Sequence, residues 1–269
     1  MASTDRALFQ FIDTHCHFDF PPFVGFEHES LQLAAGNGVS AIVVPAVTAD
    51  RFAFVAGLAA RFPSIYAALG LHPLYIAQHG ESELASLELC LLQSANELAA
   101  MGEIGLDLYM DDPNIERQLW LLREQLKLAK HFDLPVILHS RRTHDVLARE
   151  LKRANLPRTG VVHGFSGSLE QALAFIRLGY AIGVGGTISY PRAQKTRAVM
   201  AALPLEALLL ETDAPDMPLM GFQGEPNRPE RIRQVFDVLC ELRPNESPQL
   251  IAETVYQNSL RVLPALARA

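Results

Sequence analysis

Eight short apolar runs, each followed by a longer amphipathic segment, constrain the fold of this chain more than any other feature. The runs occupy residues 9–14, 41–46, 65–71, 98–104, 135–139, 160–163, 180–184 and 205–211. They are almost continuously hydrophobic rather than alternating, which is typical of parallel strands buried on both faces. The clearest amphipathic segment is 115–132, where Leu119, Leu122, Leu126 and Ala129 recur at helical spacing.

Eight strand–helix pairs in succession predict a TIM (β/α)8 barrel, and 269 residues suit one such barrel. The other predicted helices are 29–37, 50–62, 83–96, 143–154, 169–178, 192–202 and 230–242, with an additional helix at 248–263 outside the barrel. No linker-like stretch divides the sequence, so we predict a single domain over 1–269, with short disordered tails at 1–8 and 265–269. A doubly wound open sheet is the alternative, but no Gly-x-Gly-x-x-Gly follows the first strand.

The composition excludes several classes of protein. A net charge of −7 argues against a broad basic surface for nucleic acid, although local arginines can still hold a few phosphates. Neither a signal peptide nor an apolar run of membrane-spanning length is present, which predicts a cytoplasmic protein. The three cysteines are sparse and widely spaced, as reduced thiols are, and Cys16 is expected to be a small buried hydrophobe.

Residues of the metal-binding type fall at or just after the ends of predicted strands. They are His15, His17, Glu103, His139, His163 and Asp213. Each has an ordinary interpretation when taken alone: a core histidine with satisfied hydrogen bonds, a salt-bridged carboxylate, or a helix cap. However, the carboxyl ends of the strands are the face on which TIM-barrel active sites lie. Their common location therefore predicts one site.

Four histidines and two carboxylates are enough ligands for two divalent ions. Imidazole suits Zn or Mn, and carboxylate oxygens also admit Mg. A glutamate, here Glu103, can bridge two ions about 3.5–4 Å apart, and water held between them becomes a nucleophile near neutral pH. Asp213 is placed to bind one ion and to accept the proton of that water. We therefore expect Glu103 and Asp213 to be catalytic as well as metal-binding.

Further polar residues at the same face point to the substrate. Arg141 follows the fifth strand, and its guanidinium fits phosphate oxygens, so we expect it to bind substrate. His72 ends the third strand and is expected to contact substrate as well. Lys195 and Arg197 are assigned to a solvated helix face.

Backbone N–H groups and two further side chains are also expected at the carboxyl end of the barrel. Residues 164–167 are expected to leave N–H groups free for an anion ahead of the helix at 169. Asp107 and Tyr109 either line the rim or serve only in capping and packing.

The sequence resembles the TatD family of metal-dependent deoxyribonucleases, and within it the YjjV-like branch. The resemblance is carried by successive motifs between residues 11 and 215: FIDTHCHFD, GLHP, GEIGLD, LHSR, HGFSG and ETDAP, with PNRPE following at 226–230. It implies a TIM barrel of the amidohydrolase type, dependence on divalent metal and hydrolysis of phosphodiesters. It also implies that the six residues named above are the metal ligands, with Glu103 at the bridging position.

The sequence differs from the family motifs at one position, and the family has more than one kind of substrate. Ile104 stands where the deoxyribonucleases of the family tend to have cysteine, and we expect it to serve in packing. Relatives with the same ligands include exonucleases, and one branch resembles enzymes that deacylate D-aminoacyl-tRNA.

We therefore expect a metal-dependent deoxyribonuclease, similar to a 3′–5′ exonuclease, that acts on single-stranded DNA ends. It is expected to work as a monomer, without an obligatory protein partner or a membrane. One alternative is a two-metal amidohydrolase or esterase that acts on a small molecule or an aminoacyl ester. Another is a metal-loaded interaction module without catalysis.

Overall fold

A computed structural model describes residues 9–268 and contains eight parallel strands hydrogen-bonded in sequence order, β1 to β8. They are β1 Phe11–Asp13, β2 Val39–Pro45, β3 Ile65–Leu69, β4 Ala100–Asp107, β5 Val136–Arg141, β6 Gly160–Val162, β7 Ala181–Val184 and β8 Leu208–Leu210. Each lies within or overlaps a predicted run. The predicted TIM barrel is confirmed, and the unbroken strand order contradicts the doubly wound alternative.

Segments that follow β1 and β8 bring the barrel close to full closure. The Thr14 N–H donates to the Leu210 carbonyl over 3.1 Å, and the Asp213 N–H donates to the His15 carbonyl over 2.9 Å. Cys16 forms a parallel bridge with Ala214 and is fully buried, as expected of a small hydrophobe. The backbone around His15 therefore lies directly beside that around Asp213.

Helices cover the outside of the strands, and every predicted helix is present with ends displaced by at most two residues. They are α1 Glu27–Gly36, α2 Phe52–Arg61, α3 Glu81–Ser94, α4 Ile115–His131, α5 His144–Ala154, α6 Leu169–Arg177, α7 Gln194–Ala202, α8 Ile232–Leu242 and α9 Pro248–Val262. Across residues 9–268, no helix has both the length and the apolar character needed to cross a membrane.

One side of each strand faces the barrel interior, which is filled by apolar residues near the amino ends. These are Ile12, Val43, Ala68, Ala100, Ile137, Val161, Ala181 and Leu209. Side chains alternate with period two, so positions two and four residues further along share this inward face. His139 thus follows Ile137, His163 follows Val161, and Asp213 lies four residues after Leu209. The interior is therefore apolar at its amino end and polar at its carboxyl end.

The C-terminal segment closes the apolar end of the barrel. Val262, Leu263 and Leu266 belong to the same buried cluster as the inward-facing strand residues. Pro264–Arg268 forms a short 3-10 helix, where a disordered tail was expected from residue 265. The tail expected at 1–8 lies outside the described residues.

Strands β4 and β5 approach each other closely at Gly105. This residue has a φ of +152°, and a Cβ added there would lie 2.0 Å from the carbonyl oxygen of His139. Only glycine fits this contact, because the obstructing atom belongs to the backbone. The contact sets the spacing between Glu103 on β4 and His139 on β5.

We predict that Gly105→Ala destabilises the protein by about 3 kcal/mol or more, because β5 must move to admit a methyl group. Urea unfolding followed by circular dichroism measures the change. Gly57→Ala in α2, where a Cβ meets nothing within 4 Å, is the matched control. It should be neutral or stabilising by up to about 1 kcal/mol. Equal stability of the two variants would contradict the prediction.

Candidate metal centre

Three donor atoms converge beside one oxygen of Glu103. Its Oε2 lies 3.2 Å from His15 Nε2 and 3.5 Å from His17 Nε2. Asp213 Oδ1 lies 3.5 Å and 3.6 Å from the same two nitrogens, which are themselves 3.3 Å apart. Residues that follow β1, end β4 and follow β8 are thus brought to one point.

Three more imidazoles surround the other oxygen of the same carboxylate. Glu103 Oε1 lies 2.6 Å from His163 Nε2, 2.9 Å from His72 Nε2 and 3.0 Å from His139 Nδ1. Glu103 therefore stands between two clusters of donors, as the bridging position requires. All six expected ligands are brought together, and His72 joins them.

The donor set fits divalent cations. Glu103 Oε2 is buried and accepts no hydrogen bond from the residues that the structure describes, although two imidazole nitrogens lie within 3.5 Å of it. Ligands held tetrahedrally about 2.0–2.1 Å from zinc lie about 3.3–3.4 Å from one another, close to the spacing observed around Oε2. Such groups of histidine and carboxylate can hold metal ions, and the structure contains three overlapping ones.

The electrostatics of the cluster centre on Glu103. Burial alone would raise the pKa of this carboxyl, but His163, His72 and the other imidazoles outweigh burial and hold the pKa well below its usual range. Burial also opposes the charge of His163, yet Glu103, Glu211 and Asp213 together raise its pKa to about 10. Burial lowers the pKa of His15 well below its ordinary value. The Glu103 carboxyl is therefore ionised, and in the absence of metal His163 holds a proton against it.

Two further carboxylates support the histidines. Asp107 Oδ2 lies 2.8 Å from His139 Nε2, so it orients the ring whose other nitrogen faces Glu103. Glu211 Oε1 accepts the Gly164 N–H over 2.5 Å and lies 3.9 Å from His163 Nδ1. Asp107 was expected either at the rim or in capping and packing, and Glu211 was not expected in the site. Period two was the available signal, because Asp107 lies four residues after Glu103, on the same inward face of β4.

A buried carboxylate also joins the two ends of the barrel. Asp13 accepts hydrogen bonds from the Thr212 hydroxyl over 2.5 Å, from the Thr212 N–H over 2.9 Å and from the His15 N–H over 3.3 Å. The adjoining Asp213 has a φ of +58°, a left-handed conformation that a residue other than glycine seldom adopts. Asp13 and Thr212 thus fix the backbone that presents both His15 and Asp213.

His72 contacts Glu103 in addition to lining the cavity, where it was expected. Its Nδ1 accepts the Leu74 N–H over 3.1 Å, so its Nε2 bears the proton and donates to Glu103. Both ring nitrogens are engaged and the side chain is buried. His72 therefore orients Glu103, and because it also lines the cavity of the metal centre, its contact with substrate stays a prediction.

The centre opens into a cavity of about 580 Å³, whose wall includes Arg141, Thr187, Ile188, Met200 and Met217. Glu103 and Asp213 both line this cavity, and the Asp213 side chain is the more accessible of the two, 18% exposed against 1%. Arg141 lies at the edge with its guanidinium 3.8 Å from the Tyr109 ring centre. Within residues 9–268 it has no ion-pair partner.

Some of the expected anion-binding groups are already used. The Gly164 N–H is bonded to Glu211, and Ser168 with Gln171 caps the start of α6. Arg197 donates to the Ile188 carbonyl and is therefore structural rather than solvated. Ile104 is buried in the core, which confirms its packing role.

A parallel eight-stranded barrel that gathers histidines and carboxylates at its carboxyl end is the architecture of metal-dependent hydrolases. Comparison with known proteins agrees. The sequence model of the family described as TatD related DNase matches residues 12–264. The Escherichia coli K12 protein named uncharacterized metal-dependent hydrolase YjjV is 63% identical over 250 residues, which are 93% of this chain and 96% of that protein.

Two further matches extend the comparison. The crystal structure of the E. coli YjjV TatD homologue gives a TM-score of 0.93 at 61% identity, covering 96% of this chain and 99% of that one. A metal-dependent hydrolase from Haemophilus influenzae is 47% identical over 262 residues, which are 94% of this chain and 98% of the relative. The chain belongs to the TatD family and is a metal-dependent hydrolase.

We predict that Asp107→Asn weakens the binding of zinc or manganese about 10- to 100-fold, because the amide no longer fixes the orientation and basicity of His139. Competition with a chromophoric chelator measures the dissociation constant. Asp216→Asn, which removes the same charge from an exposed residue lining the same cavity, is the matched control. Asp107 has no orienting role if both variants bind metal equally well.

Proposed function

We propose that this hydrolase cleaves phosphodiester bonds, acting as a 3′–5′ exonuclease on single-stranded DNA ends. The observation that carries the proposal is the common cavity of the donor cluster, the accessible carboxylate of Asp213 and the unpaired guanidinium of Arg141. A carboxylate-rich centre with a phosphate-binding cation at its edge suits an anionic ester.

The proposed ligand sets divide at Glu103. His15, His17 and Asp213 would hold one divalent ion together with Glu103, and His139 and His163 would hold the second with the same carboxylate. The metals are Zn, Mn or Mg, and when bound they supply Lewis-acid activation of water and of the scissile phosphoryl group near neutral pH.

The remaining steps belong to residues of the chain. Asp213 accepts the proton of the attacking water, since its carboxylate is exposed to the cavity and its backbone is fixed by Thr212 and Asp13. His72 and Asp107 hold Glu103 and His139 in place, so that the geometry does not change as charge develops. Arg141 binds a nonbridging oxygen of the phosphate.

The rim of the cavity supports a nucleic acid end as the substrate. Leu74 and Met217 line the cavity and are each 46% exposed, and Tyr109 beside Arg141 is 52% exposed. These side chains follow β3, β8 and β4, so they stand around the mouth. Exposed apolar and aromatic groups near cations are suited to unstacked bases. A cavity of this size admits a terminal nucleotide but not a duplex.

We predict that Asp213→Asn lowers the hydrolysis of single-stranded DNA at least about 10²-fold while the fold is kept, because a positioned proton acceptor is lost. Metal-stripped protein is supplied in turn with Mg, Mn or Zn and assayed on 5′- and 3′-labelled strands, which also reports polarity. Asp216→Asn is the control for a lost charge in the cavity. Full turnover by Asp213→Asn would exclude Asp213 as the base, and the absence of cleavage with every metal would exclude the nuclease.

We predict that Arg141→Ala raises the KM for a DNA substrate by about tenfold, and that it affects hydrolysis of a neutral aryl ester much less, because the lost contact is charge-assisted. Steady-state kinetics on both substrates measure the difference. Arg149→Ala, an exposed cation of α5 outside the cavity, is the control. An equal effect on both substrates, or activity confined to the neutral ester, would favour the esterase alternative.

A further inference from the structure

A second cavity of about 580 Å³ adjoins the metal centre and is here termed the second groove. Its wall includes Tyr109, Arg141, Arg142, His144, Ser166 and Lys195. Arg141 and Ser166 also line the cavity of the metal centre, so the two spaces share one wall. The proposed function makes no use of this groove.

The charge of the second groove is positive in a chain whose net charge is −7. Arg141 and Arg142 place their guanidinium groups 3.8 Å and 4.4 Å from the centre of the Tyr109 ring. In the described part of the chain, no carboxylate forms an ion pair with these two arginines or with Lys195, although Asp107 feels the charge of Arg141 and Glu170 that of Lys195. Asp145 also lines the groove, but its Oδ2 accepts a hydrogen bond from the Gln171 side chain over 3.0 Å. The groove therefore offers three cations against one engaged carboxylate.

Neutral donors add to these cations. The first turn of α5 lines the groove, and no side chain caps it, because the Thr143 hydroxyl donates to the Leu106 carbonyl instead. Its N–H groups and the helix dipole thus favour an anion. His144 is buried in the wall of the groove, and its Nε2 has no partner among residues 9–268. The start of the neighbouring α6, in contrast, is fully capped by Ser168.

The position of the groove follows from strand geometry. Arg141 lies two residues after His139 on β5, so both side chains lie on the same face. The second groove therefore begins where β5 leaves the metal centre. A molecule that fills only the cavity of the metal centre has no chemical group that reaches the second groove. A nucleic acid strand has such a group, because each of its phosphates is followed by another.

We propose that the second groove binds the phosphate next to the scissile one, so that the preferred substrate is an oligonucleotide strand rather than a compound with a single phosphodiester. Arg142 and Lys195 neutralise this phosphate, the N–H groups of α5 donate hydrogen bonds to its oxygens, and Tyr109 lies against a base. This inference rests on the proposed hydrolysis of DNA and specifies the substrate class of that site. Grooves that track a single strand combine cations and aromatic rings in this way.

The test measures binding by fluorescence anisotropy in the zinc-loaded Asp213→Asn background. The probes are a base-labelled thymidine pentanucleotide and a base-labelled thymidine dinucleotide with one phosphodiester. The double variant Arg142→Ala/Lys195→Ala is compared with Arg149→Ala/Lys152→Ala, which removes the same charge from exposed positions of α5 outside both cavities. Titrations are repeated over a range of KCl concentrations.

We expect the groove variant to bind the pentanucleotide about tenfold or more weakly at low salt, with a much smaller loss for the dinucleotide. The slope of log Kd against log salt should fall by about 0.7 for each phosphate contact removed. Equal binding by the two double variants, or an equal loss of affinity for both probes, would overturn the proposed binding of a second phosphate in the groove. DNA hydrolysis by the wild-type holoenzyme is assayed separately and tests the proposed function. If the holoenzyme does not cleave DNA but the groove residues still contribute to pentanucleotide binding, the proposed hydrolysis is overturned and phosphate binding by the second groove is not.

Discussion

The burial of one negative charge organises the carboxyl end of this barrel. Glu103 is 1% exposed, and an isolated carboxylate in such a place costs several kcal/mol. Imidazoles from the ends of β1, β3, β5 and β6 surround it, yet burial lowers the pKa of His15 and His72, so those two add little positive charge. In the absence of metal the negative charge is balanced by His163, whose pKa Glu103 helps to raise to about 10. Stability of the barrel mouth and chemistry at the mouth thus depend on the same group.

A second constraint acts through the backbone. A barrel must join its first strand to its last, and here the join passes through the hydrogen bonds of Asp13 to Thr212. The same join places His15 beside Asp213 and holds Asp213 in a left-handed conformation. Such conformations persist only where neighbouring contacts over-determine them. The same hydrogen bonds therefore close the barrel and position Asp213, the proposed base.

The sequence predicted the strands, the helices and the six clustered residues because these depend on periodicity and on the polarity of parallel strands. Their metal-binding roles remain predictions. The contacts of individual side chains were harder to predict from the sequence. His72 was expected to face substrate, but its ring is held between Leu74 and Glu103, which only the packing of the loop after β3 determines. Lys195 was assigned to solvent, whereas the approach of α7 to the loop after β5 places it in a groove. Contacts between loops from different strands leave no periodic pattern.

The closed amino end of the barrel has a consequence for biosynthesis. Ile12 and Leu266 share one apolar cluster, so a ribosome must pass Leu266 before the barrel interior can exclude water. Until then the inward faces of β1 to β8 have no complete core against which to pack. The residues that gather around Glu103 come from strands supported by that core. The arrangement of the residues around Glu103 therefore depends on a segment that is synthesised after all eight strands.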